Sequence, residues 1–589
     1  MNERAEQPDP HTLRVPVLIV GGSLVGLSTS LFLGRLGVPH ILVERHAGTS
    51  IHPRGRGNNV RTMEVFRVAG VEPAIHEAAA TLADNHGILQ TPTLVGDAGE
   101  WLFRDIDPGG GLARFSPSSW CLCSQNDLEP VLLEHARRLG GDLRFSTELM
   151  SFDSDPAGVT AVVKSRETGE HTTIRADYLV AADGPRSPVR EQLRIGQSGP
   201  GDLFHNVSVT FRSRRLADVV GDRRFIVCYL TNPDADGALL PVDNREHWVF
   251  HAPWHPEHGE TLEEFTDERC IEHIRRAVGV ADLDVEITGR APWHAAQRVA
   301  RSYRSGRVFL AGDSAHEMSP TGAFGSNTGI QDAHNLAWKL AAVVDGWAGE
   351  GLLDTYDAER RPVAEATSAR AAARSAEHSH PGFAPPPGAG GGRQRGILNV
   401  ALGYRYPQGA VVGADRTAPV VPENLDLTGE PGSRAPHLWV RRQGEQGRAE
   451  QGQGERNQGE RNQGKRNQGE RNQGGERIST LDLYERDLVL LSDAEEPSGW
   501  HAAAVRLAAQ TSLPIRSYRV GGGPEADLVP EDDADWAERH GIASGGAVLV
   551  RPDGFVAWRS PGPDPDADST LRHVLGALLT ATRPGGSPE

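Results

Sequence analysis

The sequence predicts an α/β protein that contains an α+β middle domain, and three features indicate this class. Residues 15–43 form a strand, a helix and a second strand: the apolar run VPVLIV is followed by glycines, apolar residues at helical spacing and the run ILV. Apolar and polar residues alternate in segments between 207 and 251, which is typical of an antiparallel sheet. After residue 435, strand-like and helix-like segments alternate again, which predicts a small separate α/β domain.

Length and composition exclude several classes of protein. A chain of 589 residues is too long for one core, so we expect two or three domains. The net charge of −18 argues against nucleic acid as a partner, and no apolar run approaches the roughly 18 residues that span a bilayer. Four cysteines without a CxxC pair suit a reducing compartment and supply no zinc cage. We therefore expect a cytoplasmic protein without metal, nucleic-acid or membrane partners, and its start, MNERAEQPDPHT, lacks the features of an export signal.

The first strand is followed by a glycine motif that is typical of nucleotide-binding turns. Gly21 permits a tight turn, and Gly26 lets the next helix pack closely on the sheet, so that free N–H groups at the helix start face a pyrophosphate. Glu44 ends the second strand and can accept hydrogen bonds from ribose hydroxyls, with Arg45 beside it. Ser23 replaces the second glycine of the pattern, although its hydroxyl can donate to a phosphate. The motif reads Gly21-Gly22-Ser23-Leu24-Val25-Gly26 and by itself leaves NAD and FAD open.

Two further strands end in similar motifs. One apolar strand ends at Asp183-Gly184, and another ends at Gly312-Asp313. An aspartate at the carboxyl end of a strand can accept a hydrogen bond from a ribityl hydroxyl. The glycine-rich residues 320–329 then lead into a helix, whose N–H groups suit a reduced, anionic isoalloxazine. The three motifs together predict one long cofactor, FAD, bound where the ends after Val20, Ala182 and Ala311 converge.

These residues give the chain a resemblance to the FAD-dependent aromatic hydroxylases, the single-component flavoprotein monooxygenases related to p-hydroxybenzoate hydroxylase. Within that family it looks most like actinomycete hydroxylases of tetracenomycin-type or anthracycline-type polyketides. The resemblance extends over roughly residues 15–375 and is strongest in the last of five stretches: VLIVGGSLVGL (17–27), HPRGRGNNVRTMEVF (52–66), CSQNDLEPVLLEHA (123–136), AADGPRSPVR (181–190) and GRVFLAGDSAHEMSPTGAFGSNTGIQDAHNLAWKL (306–340).

Motifs and resemblance together predict four parts of the chain. These are a disordered N-terminus (1–14), a Rossmann-like FAD-binding domain (15–190 and 290–400), an inserted antiparallel-sheet substrate domain (191–289) and a thioredoxin-like C-terminal domain without redox cysteines (401–589). Within the last part, GERNQ pentapeptides recur from residue 454 to 473. A period of five with glycine in every repeat matches neither helix nor strand, so we predict a disordered loop over 443–476.

The resemblance also implies roles for individual residues. Arg54 would lie against the flavin and the nicotinamide path, and Gln125 would contact the flavin side chain; a surface salt bridge and a helix cap are the respective alternatives. Asp183 and Gly184 would serve both FAD and NADPH, and Asp313 would hold the ribityl-phosphate region. His316 is predicted to be a packing residue. Arg54 and Pro320 are the catalytic candidates, and the isoalloxazine would be surrounded by Pro320, Gly322, Gly325 and Asn327.

The substrate wall is predicted to come from the middle sheet. Trp248 and Phe250 alternate along one segment and so share a face, and Phe225 and Tyr229 form a second pair. Met318 and Phe324 flank the predicted flavin site. A base for the substrate phenol stays unassigned among His251, His294 and arginines.

The predicted function is an NAD(P)H- and O2-dependent hydroxylation of a polycyclic aromatic polyketide, a phenol or quinone of antibiotic-type metabolism, through a flavin C4a-hydroperoxide. A Baeyer–Villiger oxygenase or another flavin oxidoreductase uses the same cofactor and is an alternative. A non-enzymatic alternative is a flavin-binding module of a biosynthetic assembly. The chain would act as a monomer or homodimer.

Overall fold

The computed structural model describes residues 12–96, 98–377, 396–443, 475–494, 499–531 and 535–579. Residues 1–11 of the predicted disordered N-terminus and the GERNQ repeat lie outside these ranges. The prediction was wrong for residues 12–14, which belong to the first strand and pair with residues 173–175. The chain divides into two compact units: Met1–Gly111, Ser119–Ala337 and Arg360–Ile397 form the first, and Leu112–Ser118, Trp338–Glu359 and Leu398–Glu589 form the second. None of the helices in the described ranges has the length and apolarity that crossing a membrane requires.

The first unit contains two large sheets and one small sheet. Its strands are β1 (Thr12–Val20), β2 (His40–Val43), β3 (Gly57–Asn58), β4 (Gly87–Thr91), β5 (Glu100–Phe103), β6 (Cys121–Leu122), β7 (Asp142–Arg144), β8 (Thr147–Asp155), β9 (Gly158–Ser165), β10 (His171–Ala181), β11 (Gln197–Arg212), β12 (Phe225–Leu230), β13 (Gly237–Pro241), β14 (His247–Trp254), β15 (Glu286–Ala300), β16 (Arg304–Ser305), β17 (Val308–Leu310) and β18 (His316–Glu317).

In the ranges that the structure describes, nine α-helices up to residue 377 accompany these strands, and two of them are long. Sequence periodicity predicts the long ones over 327–345 and 353–376, within a few residues of their observed limits. The helices are α1 (Leu24–Leu36), α2 (Val60–Val68), α3 (Glu72–Ala78), α4 (Gln125–Arg138), α5 (Pro188–Gln192), α6 (Arg215–Val220), α7 (Asp267–Val278), α8 (Phe324–Val344) and α9 (Gly351–Glu377).

The first large sheet has the strand order β16-β17-β10-β1-β2-β7, with β8 and β9 joined to β10. Strands β17, β10, β1, β2 and β7 run parallel to their neighbours, as expected for an apolar βαβ core. Val20 is paired with Ala181, and Ala181 is paired with Leu310. The three strands that carry the glycine and aspartate motifs therefore end side by side at one edge, which is the convergence that the sequence predicts.

The second large sheet is the middle sheet, with the order β18-β15-β11-β14-β13-β12-β4-β5. All its neighbours are antiparallel except β12 and β4, which are parallel. Strands β4 and β5 lie within residues 15–190, which the sequence analysis assigned to the FAD-binding domain, and β15 extends past residue 289. The sheet thus recruits strands from both sides of the predicted boundaries, because strand pairing is not limited to segments that are adjacent in sequence.

The second unit is built around a seven-stranded sheet with the order β20-β19-β23-β22-β21-β24-β25. A βαβ segment with parallel strands is followed by an antiparallel pair and a final helix, in the thioredoxin-like arrangement that the sequence predicts. From residue 397 onward, the elements are α10 (Ile397–Ala401), β19 (Trp439–Arg442), β20 (Arg477–Ser479), β21 (Leu488–Asp493), α11 (Trp500–Thr511), β22 (Ile515–Val520), β23 (Leu528–Pro530), α12 (Trp536–Arg539), β24 (Ala547–Val550), β25 (Val556–Ser560) and α13 (Ala567–Leu579).

A buried ion cluster lies within the second unit. Glu359 accepts hydrogen bonds from Lys339 Nζ at 2.7 Å and from Arg551 Nη1 at 2.8 Å, and Arg551 also pairs with Asp553 at 2.5 Å. Burial lowers the pKa of Lys339 to about 8, against the opposing effect of Glu359. Two cations and two carboxylates balance each other here, which limits the cost of burying them.

Candidate active site

The turn after β1 leaves no room for side chains. Gly21 has φ +106°, and a Cβ on it would lie 2.2 Å from the carbonyl oxygen of Ala182. A Cβ on Gly26 would lie 1.8 Å from the carbonyl oxygen of Gly21. Both glycines are therefore required for the close approach of β1, α1 and the segment after β10, and this leaves the backbone at the start of α1 accessible to a phosphate.

The side chain of Ser23 differs from its predicted role. Its Oγ donates to Oε1 of Glu129 at 2.5 Å rather than standing free for a phosphate, and Gln125 Nε2 donates to the same oxygen at 2.7 Å. The other oxygen of Glu129 accepts from the backbone N–H of Ser50 at 2.7 Å. Gln125 thus serves this network, and helix capping, its predicted alternative, is not observed. Sequence reasoning missed Glu129. The one feature that could have indicated it is its position one helical turn after Gln125, which places both side chains on the same side of α4.

Glu44 lies where the sequence predicts an acceptor, at the end of β2. Its Oε2 accepts from the backbone N–H of Gly22 at 2.6 Å. Its Oε1 accepts from the backbone N–H of His46 at 2.8 Å and contacts His46 Nδ1 at 2.5 Å. The carboxylate is therefore fixed beside the glycine turn, while the neighbouring Arg45 is exposed.

Asp183 lies directly after β10. One of its carboxylate oxygens accepts from the backbone N–H of Val189 at 3.2 Å, and the other is buried without a hydrogen-bond partner among the described residues. Burial raises the pKa of Asp183. Nearby, Arg190 donates to the backbone oxygens of Ser314 at 2.9 Å and Pro185 at 2.8 Å, which ties the second motif to the third.

Asp313 follows β17 after Gly312, which has φ +63°. Its carboxylate reaches solvent but lies in a cleft, and the surrounding protein raises its pKa against the opposing charges of His316 and Arg54. Arg54 is exposed and forms neither an ion pair nor a side-chain hydrogen bond with any described residue. The alternative for Arg54 was a surface salt bridge, and Arg54 forms none with the described residues.

The turn that begins α8 is shaped by its backbone. The N–H of Ala323 donates to the carbonyl oxygen of Pro320 at 2.9 Å, and Gly322 has φ +94°. A Cβ on Gly325 would lie 3.4 Å from Cγ of Met318. Asn327 has a different role from its neighbours: its Nδ2 donates to Gly57 O at 2.7 Å, and its Oδ1 accepts from Asn59 N at 2.8 Å. Its amide is thus engaged in holding the turn to the segment after Arg54.

A buried ion cluster supports this turn from behind. Asp332 accepts hydrogen bonds from His316 Nε2 at 2.8 Å and Arg360 Nε at 2.7 Å, and Gly312 N donates to it at 3.2 Å. All three side chains are fully buried. Burial alone would raise the pKa of Asp332, but the charges of Arg360 and His316 keep it below its ordinary value. His316 thus occupies a packed interior position, whereas Asp332 and Arg360 were missed by sequence reasoning.

The structure divides the predicted substrate wall between the two faces of the middle sheet. Trp248 and Phe250 do share a face, but that face packs against α6 and α7, in a core that includes Ile274 and Phe225. Tyr229 belongs to a different cluster on the opposite face, with Val227 and Ala238. Phe225 and Tyr229 are separated because the register shifts between Phe225 and Val227, and such an irregularity reverses the alternation of side chains.

The opposite face of the middle sheet is here called the cofactor-side face, and it carries Asn206, Ser208, Tyr229, His251 and Trp293. His52 Nε2 lies 3.1 Å from Ser208 Oγ, and Arg56 donates to the carbonyl oxygen of Pro241. The rings of His251 and Trp293 are 5.0 Å apart. His52 and Arg56 flank Arg54 in sequence, so the segment that carries Arg54 lies against this face. Sequence reasoning found only Tyr229 and His251 among these residues.

Comparison with known proteins identifies the family. Residues 14–371 match the family model described as FAD binding domain, and residues 467–581 match the aromatic-ring hydroxylase C-terminal model. The chain belongs to the FAD-dependent aromatic-ring hydroxylases. It is 75% identical to a Streptomyces halstedii protein named "Putative polyketide hydroxylase", covering 98% of this chain and 100% of that protein. It is 40% identical to the tetracenomycin A2 monooxygenase-dioxygenase of Streptomyces glaucescens, covering 98% and 99%.

Solved structures agree with this assignment. A ternary complex of aklavinone-11 hydroxylase with FAD and aklavinone has a TM-score of 0.81 and 36% identity, covering 98% of this hydroxylase and 100% of that chain. The flavin-dependent monooxygenase PieE, in complex with FAD and substrate, has a TM-score of 0.79 and 31% identity, covering 96% and 99%. The predicted fold class, the FAD cofactor and the enzyme class are thereby confirmed.

The residues of this hydroxylase fit FAD. The turn at Gly21 and Gly26 leaves backbone exposed, and the unpaired oxygen of Asp183 is an acceptor in need of a donor. Asp313 and Arg54 are both exposed, and the charge of Arg54 acts on the pKa of Asp313. Acceptors for ribityl and ribose hydroxyls and an accessible helix start are the groups that a flavin dinucleotide requires.

Among the described residues, one group brings three potential metal ligands together: His255, Glu257 and His258, on an exposed turn, have ligand atoms within 4.8 Å of one another. His255 Nδ1 and Glu257 Oε1 already pair at 2.9 Å. The absence of a metal from this hydroxylase stays a prediction.

Proposed function

We propose that the protein is an NAD(P)H- and O2-dependent monooxygenase that hydroxylates a polycyclic aromatic polyketide, a phenol or quinone, in antibiotic-type biosynthesis. The observation that carries the proposal is that the ends of β1, β10 and β17 lie side by side, while the segment that carries Arg54 contacts the cofactor-side face of the middle sheet through His52. Relatives named tetracenomycin A2 monooxygenase-dioxygenase and aklavinone 12-hydroxylase support the substrate class.

When bound, FAD would supply the activation of dioxygen, with a nicotinamide nucleotide as the reductant. The start of α1 would hold the pyrophosphate, and Glu44 would accept hydrogen bonds from the adenosine ribose. Asp183 and Asp313 would accept from the ribityl chain and its surroundings. Backbone N–H groups of the turn from Pro320 to Gly325 would stabilise negative charge on the ring system. Arg54 adds a positive charge to the same side of the cleft.

On the substrate side, the protein positions the aromatic ring and excludes water. Half-buried Met318 and buried Phe324 provide apolar surface beside the cofactor. Of the histidines near the site, His294 has a raised pKa, chiefly because of its hydrogen bond to Glu317. Burial lowers the pKa of His52, and Arg54 and Arg56 lower it further. We therefore assign to the neutral imidazole of His52 the acceptance of the phenol proton.

The names of two relatives favour a second reaction outcome, the insertion of more than one oxygen atom. Two relatives are named monooxygenase-dioxygenases, for tetracenomycin A2 and tetracenomycin B2. By analogy, more than one oxygen atom would enter the product. We further propose that the enzyme works in the cytoplasm as a monomer or homodimer.

The proposal is tested with purified protein. We expect it to be yellow, to oxidise NADPH faster when a polycyclic phenol such as aklavinone is present, and to incorporate heavy-isotope oxygen from labelled O2 into the product. The mass shift of the product counts the oxygen atoms. NADPH consumption without labelled product would eliminate the monooxygenase assignment.

A substitution of Asp313 tests the proposed FAD-binding residues separately. Asp313→Ala should lose most of its FAD, because it removes an acceptor from the cleft; the ratio of flavin to protein absorbance measures this loss. Asp222→Ala removes an equally exposed carboxylate outside the site and should retain the full complement of FAD. Equal FAD content in the two variants would contradict the role of Asp313.

A further inference from the structure

The cofactor-side face of the middle sheet contains an unusual group of buried polar atoms. Asn206 is fully buried, and both its amide nitrogen and its amide oxygen lack a hydrogen-bond partner among the described residues. Nε1 of Trp293 is also buried without a partner there. Asn206 on β11 and Trp293 on β15 are direct register partners, so their side chains lie next to each other on one face.

Two other buried groups of the same types in this unit, on Asn85 and Trp248, are satisfied, whereas Nε1 of Trp120 lacks a partner among the described residues. The amide nitrogen of Asn85 donates to Phe225 O and to Asn244 Oδ1, both at 2.9 Å, and its oxygen accepts from Asn244 at 2.8 Å. The indole N–H of Trp248, on the covered face, donates to Ser213 O at 3.0 Å. An unpaired buried polar group costs about 1–3 kcal/mol. Asn206 and Trp293 together therefore carry a substantial cost, which a ligand with matching groups would remove.

The position of this pair points to the substrate. Ser208 lies two residues beyond Asn206 on the same face and contacts His52, which is two residues before Arg54. On the other side of the pair, β15, the strand of Trp293, is paired with β18, and Arg298 is the register partner of Glu317. Met318 follows Glu317 directly in the sequence. The segments that surround the cleft thus border the pair from both directions.

We propose that Asn206 and Trp293 form a polar recognition pair that reads an oxygen-bearing edge of the aromatic substrate. The amide of Asn206 donates to a keto oxygen and accepts from a neighbouring phenolic hydroxyl, and the indole N–H of Trp293 donates to a further oxygen. A polycycle without these oxygens leaves the three atoms unpaired and is rejected for that reason. This inference rests on the proposed function, since it names the class of edge that the same site selects.

The test compares two ring systems of the same size. The FAD-loaded enzyme is titrated with a dihydroxyanthraquinone, whose hydroxyls flank one keto group, and with anthracene, which has no oxygens; the flavin fluorescence reports binding. Asn206→Leu should reduce the preference for the anthraquinone by about tenfold or more, the value of one buried hydrogen bond. Trp293→Phe should reduce it by a smaller factor. Asn85→Leu, the matched control, should leave the preference unchanged.

A second measurement separates recognition from a structural role. Without ligand, Asn206→Leu should melt at or above the temperature of the wild type, because it replaces an unpaired amide by an apolar group of similar size. Asn85→Leu should melt lower, because it leaves Phe225 O and Asn244 unpaired. A lower melting temperature for Asn206→Leu together with an unchanged preference would overturn the inference.

The outcomes also separate this inference from the proposed function. If the wild type incorporates labelled oxygen into a polycyclic phenol while Asn206→Leu retains the full preference, only the recognition pair is refuted. If the FAD-loaded wild type binds neither probe and no polycycle stimulates NADPH oxidation, the proposed function fails and the recognition pair fails with it.

Discussion

The two faces of the middle sheet have opposite characters although they share the same strands. The covered face carries Val209, Phe211, Trp248 and Phe250, which pack in one apolar core with α7. The cofactor-side face carries Asn206, Ser208 and His251 at the alternate positions. The comparison teaches that the covered face is apolar and builds the scaffold. The other face mixes polar side chains with the aromatic rings of Tyr229 and Trp293, and we propose that it meets the ligand.

Each face also has a histidine whose pKa is lowered by burial. His273 of α7 lies on the covered face, where its Nε2 is 2.8 Å from the carbonyl oxygen of Asp236 and its ring is 5.4 Å from that of Phe250. His52 contacts the cofactor-side face through Ser208. We expect protonation of the first to affect stability and protonation of the second to affect turnover.

The largest expected effect is on the covered face. Phe250→Ala should lower the free energy of unfolding of the first unit by about 3–5 kcal/mol, because it leaves a cavity in a fully buried core. Denaturant unfolding measures this change, and kcat/KM per folded, FAD-loaded molecule should stay within about twofold of wild type, since truncation there removes no substrate contact. A selective loss of kcat/KM with unchanged stability would show that the faces have been assigned wrongly.

The second effect concerns the other face. His52→Gln retains a hydrogen-bonding side chain near Ser208 but cannot accept a proton, so kcat/KM should fall by about 100-fold, within the range for loss of a general base. The pKa of His52 is lowered, so the wild type should keep its kcat/KM down to the ordinary histidine pKa of about 6.5 and lose it only at lower pH, when His52 binds a proton. A pH profile compares the two enzymes. The acid limb should be absent from the variant, and its persistence would contradict the role of His52.

The third effect is the pH dependence of the free energy of unfolding, which should depend on His273, whereas the pH dependence of turnover should depend on His52. Because the pKa of His273 is lowered in the folded state from 6.5, the unfolded chain binds more protons just below that pH. The stability contributed by neutral His273 is therefore complete above about pH 6.5 and is lost as the pH falls towards the folded pKa. Unfolding measured at several pH values should show a weaker acid dependence for His273→Gln than for wild type. Identical dependence in both would refute this assignment.

The smallest effect is expected from Ser208→Ala. Removing the hydroxyl breaks one hydrogen bond to His52, so the free energy of unfolding should change by only about 0.5–1.5 kcal/mol. Looser placement of His52 should nevertheless increase the NADPH consumed per hydroxylated product, which parallel assays of NADPH and product measure. A destabilisation as large as that of Phe250→Ala would remove the contrast between the faces.

Particular residues show how far sequence reasoning reached. The placement of Gly21, Asp183 and Asp313 at strand ends followed from local patterns, because a strand that stops at a glycine or an aspartate has a recognisable composition. Trp248 and Phe250 were correctly placed on one face, but nothing local indicates what covers that face. The separation of Phe225 from Tyr229 depends on an irregularity in the pairing of β12 with β4, two strands more than a hundred residues apart.

The network around Glu129 was also beyond local patterns. Ser23, Ser50 and Glu129 lie far apart in sequence and meet only because α1 and α4 pack together. The hydroxyl of Ser23 therefore donates to a buried carboxylate, whereas its neighbours in sequence suggested a phosphate. The same holds for Asp332, His316 and Arg360, which lie far apart in sequence and are brought into contact only by folding.

By itself, the sequence determined the βαβ core, the three cofactor motifs, the cysteine-free C-terminal α/β domain and the family resemblance, since each depends on residues that are close along the chain. Only the tertiary structure decided what covers each face of the middle sheet, which polar groups remain unpaired and which buried charges neutralise each other. Those features depend on contacts between distant segments, where strand pairing and burial, rather than local composition, set the energy.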